Sequence, residues 1–293
     1  MIHKSYPLLA LSVALAGAAD PPPSAPFETV LTGNFSHASN FHRDAVVLNW
    51  NIDRGEHLDR VLAAIRETKA DLCILQEVDL GARRTEGKDI AKVLAEEAGM
   101  NYAFAPEFRE LSQSTANGPA YHGQATLTTL PVRSARVLRF THQSGFWKPR
   151  PLLLSALPIM QRREGGRIAL ISELRDGDRP LVVYNLHLES RADEQFRLLQ
   201  LNEVLADAER YPSQTPIIIA GDFNTMSRFS PVIPRLRDAG YRSAFGDRHV
   251  RTHVIFGALD WVFVRGNVDF ESPRVLRGLH ASDHDAISVA LRF

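Results

Sequence analysis

Short apolar runs that stop at a polar side chain constrain this chain more than any other feature of its sequence. Val46-Val47-Leu48 runs into Asn49-Trp50-Asn51, and Leu72 to Leu75 runs into Gln76-Glu77. Leu181 to Leu186 runs into His187, and Ile217-Ile218-Ile219-Ala220 into Gly221-Asp222-Phe223-Asn224. Each reads as a buried strand delivering an acid, an amide or an imidazole at its C-terminal end, where open α/β sheets place their sites. Two further stations stand at strand starts: Asp260 before Trp261-Val262-Phe263-Val264, and Ser282-Asp283-His284 before the last strand. Singly, each has a bland reading as a turn residue or a satisfied core histidine. Together they contain only acids, amides and histidines. That donor set suits a hard cation such as Mg²⁺ or Mn²⁺ held by oxygen, with histidines left for protons or phosphate contacts.

The rest of the pattern predicts what carries these stations. Helical spacing runs through residues 57–69, through 89–98 with Gly99 as its stop, and through 193–208 by way of Phe196, Leu199 and Leu205. Residues 125–130, 132–140, 152–160 and 167–174 read as consecutive strands of a meander, with Gly165-Gly166 as a hairpin turn. Residues 259–264, 268–276 and 286–293 close the chain as strands, and 81–88, 107–122, 141–149 and 226–233 read as loops. Many apolar strands need two covered faces, which two packed sheets with helices outside provide. Trp50, Trp261 and Cys73 are expected in the core. Asp222 and Asn224 would share one face of an extended backbone. Gly221 would let the backbone approach a ligand closely. Asp283 and His284 can converge only on a turn.

The N-terminus differs from the rest. Met1 to Lys4 is short and basic, Tyr6 to Ala19 is mostly apolar, and Asp20-Pro21-Pro22-Pro23 follows. That is the pattern of a secretory signal peptide, and the run falls short of the ~20 residues of a spanning helix. Residues 1–19 are therefore expected to be a signal peptide directing the chain to the periplasm or beyond, 20–43 a lead-in, and 44–293 one domain. No other run is long and apolar enough to cross a membrane. Lys+Arg and Asp+Glu both total 34, so no basic excess advertises nucleic-acid binding. The single cysteine excludes an internal disulfide or a cysteine-rich zinc site.

In order, Trp50-Asn51-Ile52, Leu75-Gln76-Glu77-Val78, His187, Gly221-Asp222-Phe223-Asn224, Leu259-Asp260-Trp261 and Ser282-Asp283-His284 resemble the motifs of the endonuclease/exonuclease/phosphatase superfamily. That superfamily includes pancreatic-type deoxyribonucleases, apurinic endonucleases, neutral sphingomyelinases and inositol-polyphosphate 5-phosphatases. The resemblance implies a deoxyribonuclease I-like four-layer α/β sandwich, with two packed mixed β-sheets flanked by helices, and a divalent-metal phosphoesterase. It implies Glu77 as the principal metal ligand with Asn51 beside it, and Asp283 as a further metal-site acid. Asp222 would orient or deprotonate the attacking water with support from Asn224. Asp260 would orient His284, which would contact the phosphate or carry a proton. His187 would be a candidate general acid, as in the deoxyribonuclease and sphingomyelinase branches; apurinic endonucleases place a tyrosine there. Many relatives carry Gly-Asn-Ala where this chain has Gly123-Gln124-Ala125, which weakens transfer of a substrate contact to Gln124.

Gly81 to Lys88 superficially resembles a phosphate-binding loop. It has one residue too many before Gly87-Lys88, and Asp89 replaces the hydroxyl residue. Arg83, Arg84 and Lys88 follow Glu77 closely, so they either recruit a substrate phosphate or form a solvated charged loop. The expected partner is a phosphoester, whether small molecule, lipid head group or nucleic acid. The alternatives are a secreted nuclease on the same site and a non-catalytic module that keeps the fold. No protein partner is implied.

Overall fold

The computed structural model describes residues 25–38, 40–41, 44–147 and 163–293. The expected signal peptide and the expected strand at 152–160 lie outside the described residues. One sheet runs in the order β1 (Leu31–Gly33), β4 (Asn101–Thr115), β5 (Gly118–Thr128), β3 (Leu72–Leu80), β2 (Ala45–Arg54), β14 (Ala286–Arg292), β13 (Asp269–Leu276), with β7 (Arg163–Gly165) also on β4. The other runs β11 (Arg242–Ser243), β12 (Asp260–Arg265), β10 (Ile217–Asp222), β9 (Arg179–His187), β8 (Ile168–Asp176), β6 (Val132–Arg139). Each sheet contains one parallel pair. Helix α2 (Leu58–Thr68) connects β2 to β3 and α4 (Glu194–Ala208) connects β9 to β10, since parallel neighbours need a crossover. The remaining helices are α1 (Ala25–Glu28), α3 (Ile90–Ala98) and α5 (Val232–Asp238).

The expected four layers follow from side-chain alternation. On β2, Leu48, Trp50 and Ile52 pack outward against Val61, Ile65 and Leu94 of α2 and α3. On β9 and β10, Val182, Tyr184, Ile217 and Ile219 pack outward against Leu201, Val204 and Leu236 of α4 and α5. Between the sheets lie Val47, Leu72, Ile74, Val183, Ile218, Ala220 and Val262. With a period of two, the inward set continues as Asn49 and Asn51 on β2, Asn185 and His187 on β9, and Asp222 on β10. The pattern that fills the core thus delivers polar groups between the sheets at one end. The side chain of Asp89 caps α3 by accepting from Lys92 N, and Gly99 ends it at φ +64°.

Several expectations are corrected. The meander is split between the sheets: β5 belongs to the first, and β6 and β8 to the second. Gly165-Gly166 is not a hairpin turn, because β7 pairs with β4 while β8 pairs with β6 and β9. A Cβ on Gly165 would sit 2.3 Å from Glu107 O, so this crossing between sheets requires glycine. Residues 107–122, expected as a loop, form most of the β4–β5 hairpin. The 226–233 loop runs into α5. Part of the lead-in joins the first sheet, as β1 pairs with β4. On α4 the buried face is Leu201, Val204, Leu205 and Ala208, and Leu199 is exposed. Gly221 serves strand packing rather than ligand approach, since a Cβ there would lie 2.0 Å from Leu186 O.

Candidate active site

A polar clamp joins the sheets beneath the site. Gln76 Nε2 donates to Asn185 Oδ1 at 2.8 Å and to Asn49 Oδ1 at 3.2 Å. Asn185 Nδ2 donates to the carbonyls of Leu75 and Ala125 at 3.0 and 2.9 Å. Buried amides are stable only when so satisfied, and these fix the register of one sheet on the other.

Above the clamp, both parallel pairs end in irregular backbone. On β3 an extra residue is accommodated between Leu75 and Val78, and Glu77 takes φ +54°. The bulge lets Gln76 face inward and Val78 face outward while Glu77 is turned into the cleft. Asp53 and Arg54 close β2 at φ +42° and +71°, and Asn224 follows β10 at φ +50°. Left-handed non-glycine residues are costly and concentrate where a side chain must be aimed.

These turns produce a cleft of 460 Å³ bordered by Glu77, His187, Asp222, Asn224, Asp283 and His284. Asn51 Nδ2 donates to Glu77 Oε1 and to Asp222 Oδ2, both at 3.2 Å, clipping the acids of the two sheets together. Its oxygen accepts from Asp53 N. Asp222 Oδ1 is held by Asn224 N at 2.9 Å, and Asn224 Nδ2 is anchored on Leu188 O. The other oxygen, Oδ2, has His187 Nε2 at 3.6 Å and His284 Nε2 at 3.8 Å. His284 Nδ1 pairs with Asp260 Oδ2 at 2.8 Å. Burial alone would lower the His284 pKa, but Asp260, then Asp222 and Asp283, raise it to about 10. His284 is therefore an imidazolium at neutral pH.

Glu77 is the opposite case. Burial would raise its pKa, yet His122, His187, Arg54 and Arg163 hold it well below the usual carboxylate range. Burial raises Asp53, with Arg54 opposing and the neighbouring charges of Glu77 and Asp283 adding to the rise. The carboxylates of Glu77, Asp53 and Asp283 act on one another electrostatically, a donor set that suits a hard divalent cation. The atoms of Asp222, Asp260 and His284, and separately of His253, Asp283 and His284, also lie close enough to share an ion.

The expected residues Asn51, Glu77, His187, Asp222, Asn224, Asp260, Asp283 and His284 are brought together. Arg83, Arg84 and Gln124 are not, and none of them borders the cleft. Arg84 is locked to Asp79 at 2.6 and 2.7 Å and to Glu110 at 3.2 Å. Arg83 reaches Ser112 O at the surface. The Gln124 amide bonds to Ile168 O and accepts from Leu170 N, stitching β5 to β8. The sequence reading missed a supporting layer. His122 Nδ1 pairs with Asp79 at 3.0 Å, and Glu107 stands 3.4 Å from His187 Nδ1 while accepting from Arg167 at 2.8 Å. Burial would raise the Glu107 carboxyl, but Arg167 and His187 bring it down to about 2. The guanidiniums of Arg163 and Arg167 lie 4.8–5.4 Å from the Phe108 and Trp147 rings, and both border the cleft. Only strict alternation along residues 102–110 could have signalled Glu107.

The sequence profile described as "Endonuclease/Exonuclease/phosphatase family" matches residues 48–284. An endonuclease/exonuclease/phosphatase structure from Beutenbergia cavernae DSM 12333 superposes with a TM-score of 0.63 at 18% identity, covering 86% of this chain and 72% of that one. The mannosyl-6-phosphatase Bt3783 of Bacteroides thetaiotaomicron does so at 0.58 and 13%, over 85% and 100% of the two chains. D. rerio TDP2 complexed with single-strand DNA product gives 0.57 and 17%, over 85% and 99%. Among curated proteins, none matches the sequence. With the profile spanning most of its length, the chain belongs to the endonuclease/exonuclease/phosphatase family.

Proposed function

We propose that the chain is an exported, divalent-metal-dependent hydrolase of phosphoesters. The observation that carries this reading is the meeting of Glu77 and Asn51 from one sheet, and of His284 just before β14 of that same sheet, with Asp222, His187 and Asp260 of the other. Glu77 would hold the cation, with Asn51 and Asp283 beside it. A bound divalent cation would neutralise charge on the phosphate oxygens. Asp222 Oδ2, directed by Asn51 Nδ2 while Asn224 N holds Oδ1, faces His187 and His284 and would orient a water and take its proton. The His284 imidazolium, held by Asp260, presents Nε2–H to a phosphate oxygen. His187, with Glu107 at 3.4 Å from its Nδ1, would protonate the leaving oxygen. Trp147 and Phe108 hold Arg163 and Arg167 at the cleft as further anion contacts.

The fold does not choose the substrate: a mannosyl-6-phosphatase and a DNA-bound TDP2 share it. Export rests on the basic, apolar, small-residue order of residues 1–19. The test is hydrolysis of an activated phosphodiester with Mg²⁺ or Mn²⁺, abolished by EDTA. Full activity in both Glu77→Ala and His187→Ala would overturn the reading.

A further inference from the structure

Among the described residues, the large hydrophobic side chains that face solvent are Leu31, Leu199, Met226, Phe229, Val254, Ile255 and Phe256. Five of these seven stand on two loops, 226–229 and 254–256, and Met226 and Phe256 border the catalytic cleft. Phe229 is 84% and Ile255 77% exposed, so the apolar groups project as prongs instead of packing. Such a concentration on a monomer marks an interaction surface.

The backbone of the second tip is unusual in a complementary way. Val254 N donates to Asp283 O at 3.1 Å, and Ile255 N and Phe256 N both donate to His253 Nδ1, at 2.9 and 3.0 Å. All three tip amides are satisfied from within, by a histidine and a residue of the site itself. A loop that enters hydrocarbon must meet this condition, whereas a loop in water need not.

The wall on the outer side of the tips is cationic, while the Asp283 carboxylate at the base of the second loop is held by His253 Nε2 at 3.3 Å. A shallow cleft of 220 Å³ shares Met226 and Phe256 with the catalytic one and is bordered by Arg228, Arg251 and His249, with no carboxylate in its wall. Among the described residues neither arginine forms an ion pair, and Arg228 lies 5.4 Å from the Phe229 ring centre. Apolar prongs flanked by cations match the two layers of an anionic lipid surface. Phe229 and Phe256 offer rings on which bases stack, but Val254 and Ile255 do not, and prongs that mix branched aliphatics with aromatics suit hydrocarbon better than a single nucleic-acid strand.

We propose that loops 226–229 and 251–257 form an interfacial binding surface that seats the cleft on an anionic bilayer, so that the phosphoesters it takes are carried on lipid head groups. The substrate part rests on the hydrolase reading above; the docking surface does not. In EDTA, where turnover contributes nothing, the full chain should sediment with vesicles of equal parts phosphatidylcholine and phosphatidylglycerol, and less with phosphatidylcholine alone. Phe229→Ser with Ile255→Ser should weaken this by about a hundredfold, from the apolar surface removed. Phe229→Leu with Ile255→Leu should retain it, and both double variants should keep hydrolysis of a soluble phosphodiester, which shows an intact fold. Wild-type protein left in the supernatant, or unchanged sedimentation of the serine variant, overturns the surface. So does binding of a single-stranded oligonucleotide that the serine variant alone loses. Vesicle binding without turnover of any phosphoester overturns the hydrolase reading and leaves the surface standing; turnover of the soluble diester without vesicle binding does the reverse.

Discussion

Replacing Asp260 by asparagine isolates the electrostatics of the site. Asp260 Oδ2 lies 2.8 Å from His284 Nδ1, with both groups buried. The His284 pKa of about 10, against an ordinary value of 6.5, corresponds to at most about 5 kcal/mol of preference for the imidazolium at ~1.36 kcal/mol per pH unit, part of which is offset because burial and Asp222 raise the Asp260 carboxyl. Breaking a buried pair from one side typically costs about 3–5 kcal/mol. Asparagine still offers an acceptor to Nδ1–H, so a loss near 3 kcal/mol, the low end, is expected at pH 7. The pKa is raised in the folded state, so its stabilisation is complete below about 6.5 and is lost as pH rises through about 10. Urea unfolding in EDTA should therefore show wild type losing stability between neutral pH and pH 10, and Asp260→Asn losing much less. The His284 ring resonance should titrate near 10 in wild type and markedly lower in the variant, with Asp222 still near the ring. An unshifted ring titration, or equal alkaline losses in both proteins, would refute the reasoning.

Three further outcomes follow from other contacts. Glu107 has its pKa depressed to about 2, so its stabilisation is present above about 4.5 and lost as pH falls through about 2; Glu107→Gln should flatten the acid limb of the melting temperature. Gly221→Ala forces a Cβ to 2.0 Å from Leu186 O at φ +147°, and should prevent folding or lower the melting temperature severely. Arg84→Ala takes the guanidinium from buried Asp79, which is left with His122, while Glu110 keeps Arg163; it should cost about 3 kcal/mol in urea unfolding, with KM for a soluble diester unchanged.

Residues at strand tips were legible because a hydrophobic run that stops at an acid or imidazole carries its own punctuation, as at Glu77, His187 and Asp222. Those that hold them in place were not. Glu107 lies inside β4, where Pro106 reads as a break; the structure absorbs that proline at a register shift between Pro106 and Phe108. Arg163 and Arg167 flank two glycines that suggested a turn, and their carboxylate partners lie on β4, 53 and 60 residues earlier. Helix α5 was hidden by Pro234, which is tolerated in its first turn, where no intrahelical donor is needed. The leucine face of α4 was misassigned because Arg197 and Gln200 take buried positions, bonded to Glu189 O and His142 O. Sequence periodicity marks where a chain stops being apolar, and long-range pairing decides what stands behind it.

The order of strands also sets a timetable. β14 sits between β13 and β2, and its Ile287 pairs with Asn49, more than two hundred residues earlier. His284 arrives with that strand, and Trp50 Nε1 donates to its carbonyl at 2.8 Å. A growing polypeptide that has already made Glu77 and Asp222 still lacks the imidazole and the strand that closes the first sheet. The constellation between the sheets is thus complete only once the C-terminal strand is in place.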